Sequence, residues 1–179
     1  ERADALLRQL LLDAGDVAPC KQGDIQVEMV ACSTQPFLTR TDVVIVDYGA
    51  GLGRVGHGLS ATTDFAFATY VAVDESLSDE LRETVRGLKC ATEFRTRTDY
   101  LSSPTQADVV LVVNTLHHVP FKDAARQFDV ILRSIKPGGV LIVHEMGELR
   151  EPEKKNVPWT VDDMVKFIDV DGVRVVPRR

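Results

Sequence analysis

Residues 43–53, which read VVIVDYGAGLG, decide the fold of this chain. Four β-branched residues run without alternation into Asp47, which is typical of a parallel strand that helices cover on both faces. Three glycines follow at alternate positions, Gly49, Gly51 and Gly53. Glycine adopts positive φ angles and lets a ligand lie against bare backbone, and a helix beginning at Arg54 would point free N–H groups at that ligand. The stretch therefore predicts a loop that binds a nucleotide cofactor.

Predicted strands and helices alternate along the rest of the chain. Strands are expected at residues 69–74, 92–96, 108–114, 140–146 and 173–176, with a further short strand at 25–29. Helices are expected at residues 3–14, 54–61, 77–88, 121–135 and 160–168, the third with Ser76 as its N-cap and the fourth ended by Pro137-Gly138-Gly139. Strands that are separated by helices pair in parallel. We therefore expect an α/β fold with a doubly wound, mostly parallel sheet and helices on both faces.

Composition and charge limit the functions that fit. The 179 residues are 44% hydrophobic and 27% charged, which suits one soluble domain with a single core. The net charge of −6 gives no strong nucleic-acid signal, since phosphate contacts need a basic face. Cys20, Cys32 and Cys90 are widely spaced, which indicates neither disulfides nor a metal site and fits a reducing compartment. No apolar run approaches the roughly 20 residues of a membrane span. We therefore expect a cytoplasmic protein without membrane contact.

Polar residues gather where the predicted strands end. They are Asp47, Asp74, Asp99, the run from Asn114 to His118, and the pair His144-Glu145. In doubly wound sheets, ligands bind beyond the carboxyl ends of the strands. The polar residues are therefore expected to share one rim of the sheet and to form the functional site there.

The ordered set of these motifs resembles the class I S-adenosylmethionine-dependent methyltransferases. The resemblance covers residues 43–143 and rests on Asp47-x-Gly49-x-Gly51-x-Gly53, on Asp74 and Asp99 after the second and third strands, and on IKPGGVLIV before the fifth. It implies a Rossmann-like methyltransferase domain that uses S-adenosylmethionine as its cofactor.

The resemblance also implies roles for the matched positions. Asp47 and the glycine loop would hold the amino acid part of the cofactor, Asp74 the two ribose hydroxyls, and Asp99 the adenine amino group. A strand-end carboxylate suits the second role, because it accepts two hydroxyl hydrogen bonds. The implied cofactor-binding set is Asp47, Gly49, Ala50, Gly51, Gly53, Asp74, Glu75, Asp99, Tyr100 and Asn114. In a purely structural interpretation, Asp47 and Asp99 would each serve a turn.

Two other functions stay open on the sequence. Gly51, Gly53 and Gly56 fit the dinucleotide fingerprint, with Asp74 about 20 residues beyond, as in NAD(P)- or flavin-dependent Rossmann oxidoreductases. That interpretation leaves Asp47 without a role. The second alternative is a methyltransferase-fold module that binds a ligand or partner without catalysis, because a fold does not guarantee a function.

The end of the fourth predicted strand indicates the class of methyl acceptor. It reads Asn114-Thr115-Leu116-His117-His118 and lacks the Pro-Pro-aromatic sequence of family members that methylate amino nitrogens of bases or glutamine. A Leu-His-His sequence at this place resembles small-molecule and related O-, N- or C-methyltransferases. We therefore expect a small-molecule substrate.

His117, His118 and Glu145 are the candidate catalytic residues. Either a neutral imidazole removes the proton of the acceptor, or the cluster, together with His144, binds a divalent metal. Adjacent residues of a strand point to opposite sides, so only one of His117 and His118 is expected to reach the pocket. We expect a metal-free site that His117 or His118 lines, with Glu145 as a weaker candidate base.

The predicted domain boundary lies near residue 41. Residues 1–41 would form an N-terminal helix and cap segment, and residues 42–179 the S-adenosylmethionine-binding domain. The resemblance implies a terminal hairpin whose last strand the sequence does not provide, and an open sheet edge invites pairing. We therefore expect a second copy of the chain, or the remainder of a longer polypeptide, to cover that edge.

Overall fold

The computed structural model describes residues 24–38, 40, 42–62, 69–145 and 159–168. Within these ranges the chain forms one five-stranded, all-parallel sheet with the strand order β3-β2-β1-β4-β5. The strands are β1 Val44–Tyr48, β2 Thr69–Asp74, β3 Ala91–Thr96, β4 Ala107–Val113 and β5 Ile135–His144. The order reverses between β1 and β4, which opens a crevice beyond their carboxyl ends. The predicted α/β fold is thereby confirmed.

Helices cover both faces of the sheet. They are α1 Asp24–Leu38, α2 Arg54–Thr62, α3 Asp79–Arg86, α4 Arg97–Ser102, α5 Phe121–Arg133 and α6 Val161–Ile168, with a 3-10 turn at Leu116–His118. Helices α1, α2 and α3 pack on one face around Ile45 and Leu111, and helices α4, α5 and α6 pack on the other around Val46 and Val110. Alternate residues of the central strands thus enter opposite cores, and the sheet is doubly wound.

The short strand expected at residues 25–29 is wrong, because these residues belong to α1. Val27 packs close to Gly58 of α2, where an added Cβ would lie 2.4 Å from a Val27 methyl group. Val30 and Thr34 are also buried. A short apolar run fits both a strand and a helix period, and packing against α2 selects the helix here.

The third predicted helix begins later in the structure than the sequence indicated. Helix α3 begins at Asp79 and takes its N-cap from Ser78, whose hydroxyl accepts the Leu81 N–H at 3.2 Å. Ser76, the expected cap, instead donates its N–H to Asp74 at 3.2 Å. The Asp74 carboxylate at the end of β2 therefore stabilises the turn at Ser76, where the sequence predicted the start of the helix.

Helix α5 and strand β5 meet earlier than expected. The helix ends at Arg133, and Ile135, which was predicted to lie in it, pairs with Ala107 in the sheet. Residues 137–139 lie within β5, beside a register irregularity between Ala107 and Val109. Gly138 has a φ of 79°, so this irregular strand uses the glycine that was expected only to end a helix.

The remaining predictions divide into those that the structure tests and those that it does not. Helix α6 is confirmed, and Thr160 caps it by accepting the Asp163 N–H at 3.1 Å. The predicted helix at 3–14 and the predicted strand at 173–176 lie outside the described residues. No helix among the described residues is long and apolar enough to cross a membrane. Three expectations stay predictions, namely the domain division at residue 41, the cytoplasmic location and a second copy or further polypeptide at the β5 edge. Light scattering, which measures the oligomeric state, tests the last of these.

Candidate functional site

A cavity of about 640 Å³ lies beyond the carboxyl ends of the central strands. It is lined by Gly49, Gly51, Asp74, Glu75, Arg97, Asn114, Thr115, His118, Val119, Pro120, Asp123 and Gln127. Six of these residues were predicted as site residues, namely Gly49, Gly51, Asp74, Glu75, Asn114 and His118. The expected rim therefore forms one concave surface of a size typical for small-ligand sites.

The glycine loop after β1 presents its backbone to this cavity. Gly49, Gly51 and Gly53 have φ angles of 87°, 58° and 82°. An added Cβ on Gly49 would lie 2.1 Å from the Thr115 hydroxyl oxygen, whereas one on Gly51 would meet nothing within 4 Å. Gly49 is thus required for close packing on the segment after β4, and Gly51 leaves open space for a ligand. Ala50 and Gly53 are buried and do not line the cavity.

Asp74 lies where the resemblance implies it, at the end of β2 and on the cavity wall. One carboxylate oxygen accepts the Gly51 N–H at 2.8 Å, and the other accepts the Ser76 N–H at 3.2 Å. Each carboxylate oxygen has about two acceptor positions, so both keep a lone pair for a ligand. Glu75, the next residue, is exposed and also lines the cavity.

Asp47 does not lie where it was expected, because its side chain points into the core under the loop. It is 1% exposed, accepts a short hydrogen bond from the Tyr70 hydroxyl, and has one oxygen, Oδ1, without a partner among the described residues. Burial raises the pKa of Asp47 from 3.8 to about 6, although the Tyr70 hydrogen bond opposes the shift. The geometry supports a place beneath the cofactor loop rather than on the cavity wall.

Asp99 and Tyr100 are also outside the cavity lining. The Thr96 hydroxyl caps α4 by accepting the Asp99 N–H at 3.1 Å, and it donates to the Asp99 carboxylate at 2.6 Å. The Asp99 carboxylate therefore takes part in the N-terminal cap of α4. The Tyr100 side chain is fully buried, and its hydroxyl lies 2.7 Å from the Ser134 hydroxyl. The structural interpretation of Asp99 therefore has direct support, and the adenine contact that the resemblance implies stays a prediction.

The two adjacent histidines lie in a 3-10 turn rather than in a strand, with ring centroids 4.0 Å apart, so strand alternation does not apply to them. They nevertheless differ in exposure. His118 is exposed and lines the cavity, whereas the His117 side chain is 2% exposed. The His117 Nδ1 atom lies 2.8 Å from the Glu145 carboxylate, whose side chain has no exposed surface. His118 is therefore the candidate catalytic histidine that lines the cavity.

Glu145 is placed as a structural anchor rather than as a base. Its Oε1 atom accepts the N–H groups of Thr115 and Leu116, both at 2.5 Å, while Oε2 faces His117. Glu145 has no exposed side-chain surface and does not line the cavity, so it cannot take the proton of a substrate there. The segment that carries His118 is therefore held from β5.

Trp159 holds the same segment from the opposite direction. Its indole N–H donates to the Leu116 carbonyl at 3.0 Å, and its ring contacts Phe128 with centroids 6.3 Å apart. Trp159 is 1% exposed. It anchors the start of α6 against α5 and does not line the cavity, so the segment between β4 and α5 is fixed on both sides.

No three His, Cys, Asp or Glu side chains in the described part of the chain are grouped to hold a metal ion. The His117 ring faces the Glu145 carboxylate, and the neighbouring His118 ring lines the cavity. Burial lowers the pKa of His144, partly offset by the Glu145 charge. The convergence that the metal hypothesis required is absent from these residues.

Five lining residues were not predicted from the sequence, namely Arg97, Val119, Pro120, Asp123 and Gln127, and Thr115 was expected at the rim without a role of its own. Asp123 and Gln127 stand four apart on α5, and Gln127 is 8% exposed next to the buried Phe128. A polar residue within the apolar stripe of a helix was a usable signal. Gln127 accepts the Tyr48 hydroxyl at 2.7 Å, a partner that the sequence does not reveal.

Residues 46–141, more than half of the chain, match the family model described as a methyltransferase domain. No curated protein matches the sequence. Solved structures share the fold. Magnesium protoporphyrin IX methyltransferase from Synechocystis PCC 6803, with SAH bound, aligns with a TM-score of 0.64 and 14% identity, over 89% of this chain and 81% of its own.

Two further solved structures are longer than this chain. The CurJ carbon methyltransferase aligns with a TM-score of 0.58 and 16% identity, over 81% of this chain and 38% of its own. An O-methyltransferase family protein from Burkholderia thailandensis aligns with a TM-score of 0.49 and 19% identity, over 68% of this chain and 40% of its own. The chain thus spans less than half the length of these two proteins.

Proposed function

The chain belongs to the methyltransferase domain family, and we propose that it transfers the methyl group of S-adenosylmethionine to a small molecule. The observation that carries this proposal is a single cavity with the glycine loop and Asp74 on one side and Asn114 and His118 on the other. Methyl transfer is a direct displacement, so donor and acceptor must occupy one cavity in line. The named activities of two structural neighbours, on magnesium protoporphyrin IX and at carbon, support this class of reaction.

The glycine-loop side of the cavity fits the cofactor. Gly51 offers open backbone, with nothing within 4 Å of the place where a side chain would begin. Asp74 has a free acceptor position on each carboxylate oxygen, which suits two neighbouring ribose hydroxyls. Asn114, with a φ of 50° at the end of β4, lies on the opposite wall and would border the amino acid part.

The His118 side of the cavity fits the acceptor. When bound, S-adenosylmethionine supplies an electrophilic methyl group on its sulfonium sulfur. The demethylated cofactor is the leaving group, a thioether. His118 would take the proton that the hydroxyl or amine of the acceptor gives up, because its imidazole reaches the cavity. Asp123 and Gln127 would orient the acceptor. Glu145 would position His118 indirectly, because its contacts with Leu116 and His117 hold that segment in place.

Calorimetry with S-adenosylhomocysteine tests the cofactor assignment. We expect binding at micromolar strength, weakened about 10- to 100-fold in Asp74→Ala, since that variant loses charge-assisted hydrogen bonds. Gly51→Val should abolish binding, because valine is strained at a φ of 58° and fills the open space. Asp79→Ala, which removes an exposed carboxylate at the start of α3, is the matched control and should bind normally.

Transfer of labelled methyl from S-adenosylmethionine to a panel of small hydroxyl, amine and activated-carbon compounds tests the activity itself. Transfer that His118→Ala reduces would support the proposed role of that residue. Cofactor binding without transfer to any compound would favour a binding module. Binding of a nicotinamide dinucleotide in place of S-adenosylhomocysteine would overturn the proposal.

A further inference from the structure

The order of the strands gives the cavity a direction. β2 lies between β1 and β3, while β4 lies on the other side of β1. If the glycine loop after β1 borders the amino acid part and Asp74 at the end of β2 holds the ribose, the base extends toward β3. This step rests on the proposed function, because it requires an adenosyl cofactor in the cavity.

Arg97 is the residue that the structure places at that end. Thr96, the last residue of β3, pairs with Asp74 in the sheet, and Arg97 follows it directly. The Arg97 Nη1 atom lies 3.3 Å from the Glu75 carboxylate, and both residues line the cavity. Its guanidinium carbon lies 5.7 Å from the centre of the Tyr48 ring. The guanidinium is therefore held in position between a carboxylate and an aromatic ring at the base end of the cavity.

The guanidinium keeps donors that none of the described residues uses. A guanidinium carries five N–H donors, and the polar contact of Arg97 within the described residues is the Glu75 ion pair. Its Nε atom is one of two buried side-chain polar atoms without a hydrogen-bond partner in the described chain. Buried donors without a partner are rare in native structures. Arg97 is thus incompletely satisfied next to a cavity.

We propose that Arg97, and not Asp99, recognises the adenine of the cofactor. Adenine has ring nitrogens that accept hydrogen bonds and a flat aromatic face, and a planar guanidinium both donates to such acceptors and stacks on such faces. Asp99 lies outside the cavity lining, and its carboxylate is engaged by the Thr96 hydroxyl at 2.6 Å. Glu75 orients Arg97, which explains a cavity-facing acid directly after Asp74.

Two ligands that differ only at the base end make the experiment specific. S-adenosylhomocysteine carries adenine, and S-ribosylhomocysteine keeps the ribose and homocysteine without the base. By calorimetry, Arg97→Ala should weaken S-adenosylhomocysteine about 10- to 100-fold and leave S-ribosylhomocysteine within about twofold. Arg86→Ala, an exposed arginine of α3 outside the cavity, changes the net charge equally and serves as the control. If Arg97→Ala does not fold, Arg97→Lys should show the same selective loss, because it keeps the charge and lacks the planar fork.

Several outcomes would overturn this assignment. An equal loss for both ligands would mean that Arg97 supports the cavity as a whole, and no loss would mean that it does not touch the cofactor. If Asp99→Asn weakens S-adenosylhomocysteine but not S-ribosylhomocysteine, and Arg97→Ala weakens neither ligand, then Asp99 recognises the adenine. If the unaltered protein binds neither ligand, the proposed function itself fails, and that result is distinct from the others.

Discussion

Asp108 at the amino end of the sheet and Asp47 at its carboxyl end are both buried carboxylates, exposed by 2% and 1%. Burial by itself raises the pKa of each. At Asp108, donors and cations outweigh burial and hold the pKa below its usual value. At Asp47, the single hydrogen bond from the Tyr70 hydroxyl does not outweigh burial, and the pKa rises to about 6. Two carboxylates of one sheet thus have opposite effects on the protein near neutral pH.

The partners explain the contrast. Asp108 accepts the Val44 N–H at 3.0 Å and the Lys136 ammonium at 2.7 Å, and it lies 3.0 Å from the Arg40 guanidinium. Asp47 has the Tyr70 hydroxyl alone, and one of its oxygens has no partner in the described residues. The amino end is built for stability, whereas the end that carries the cavity retains incompletely satisfied polar groups, as functional sites often do.

Removing the Asp108 carboxylate should give the largest effect. Asp108→Ala deprives the Val44 N–H and the partly exposed Lys136 ammonium of their buried acceptor, and the loss of these two charge-assisted hydrogen bonds should lower the free energy of unfolding by about 3–4 kcal/mol. Urea unfolding measures this loss. Asp129→Ala, which breaks an exposed pair with Arg133, is the control and should cost less than about 1 kcal/mol. Equal losses in the two variants would contradict the contrast between the ends of the sheet.

The pH dependence of stability should separate Asp47 from Asp108. The folded pKa of Asp47 is raised from 3.8 to about 6, so the folded state keeps a proton that the unfolded state has released. Its contribution is present below pH 3.8 and is lost as the pH rises through about 6, a change of about 3 kcal/mol. The depressed pKa of Asp108 has the reverse effect, a contribution present above pH 3.8 and lost as the pH falls through the folded value.

Asp47→Asn isolates the first of these contributions. Urea unfolding of the variant and the unaltered protein between about pH 4 and pH 7 should show the variant gaining about 2.4 kcal/mol relative to the unaltered protein as the pH rises. Asparagine cannot ionise, so it does not incur the cost of a buried charge. A stability difference that stays constant over this range would show that Asp47 does not titrate as its burial implies.

Glu145 differs from Asp47, although both lie at the carboxyl end of the sheet, because each of the Glu145 carboxylate oxygens has a hydrogen-bond partner. Glu145→Ala leaves the Thr115 and Leu116 N–H groups without their acceptor and should cost about 2 kcal/mol in urea unfolding. Glu93→Ala, which removes an exposed acid on β3, should have little effect. If Glu145 served chemistry alone, its removal would leave the free energy of unfolding unchanged.

The cofactor loop could be predicted because its conformation is local. Glycine at alternate positions permits the positive φ angles of Gly49, Gly51 and Gly53 whatever lies around them. The place of Asp74 followed from the strand pattern, because the last residue of a parallel strand reaches the carboxyl rim. Helix α1 was mistaken for a strand because its short apolar run fits both periods and only its packing on Gly58 decides between them.

The doubly wound fold, the glycine loop and the carboxyl rim can be predicted from the amino-acid sequence, because they follow from hydrophobic period, backbone freedom and strand ends. Which polar side chains of that rim face the cavity depends on tertiary contacts. Asp47 turns to Tyr70, 23 residues away, and His117 turns to Glu145, 28 residues away, which leaves Arg97 and His118 on the cavity wall. Side-chain direction at a strand end depends on such distant partners, and neither propensity nor spacing encodes them.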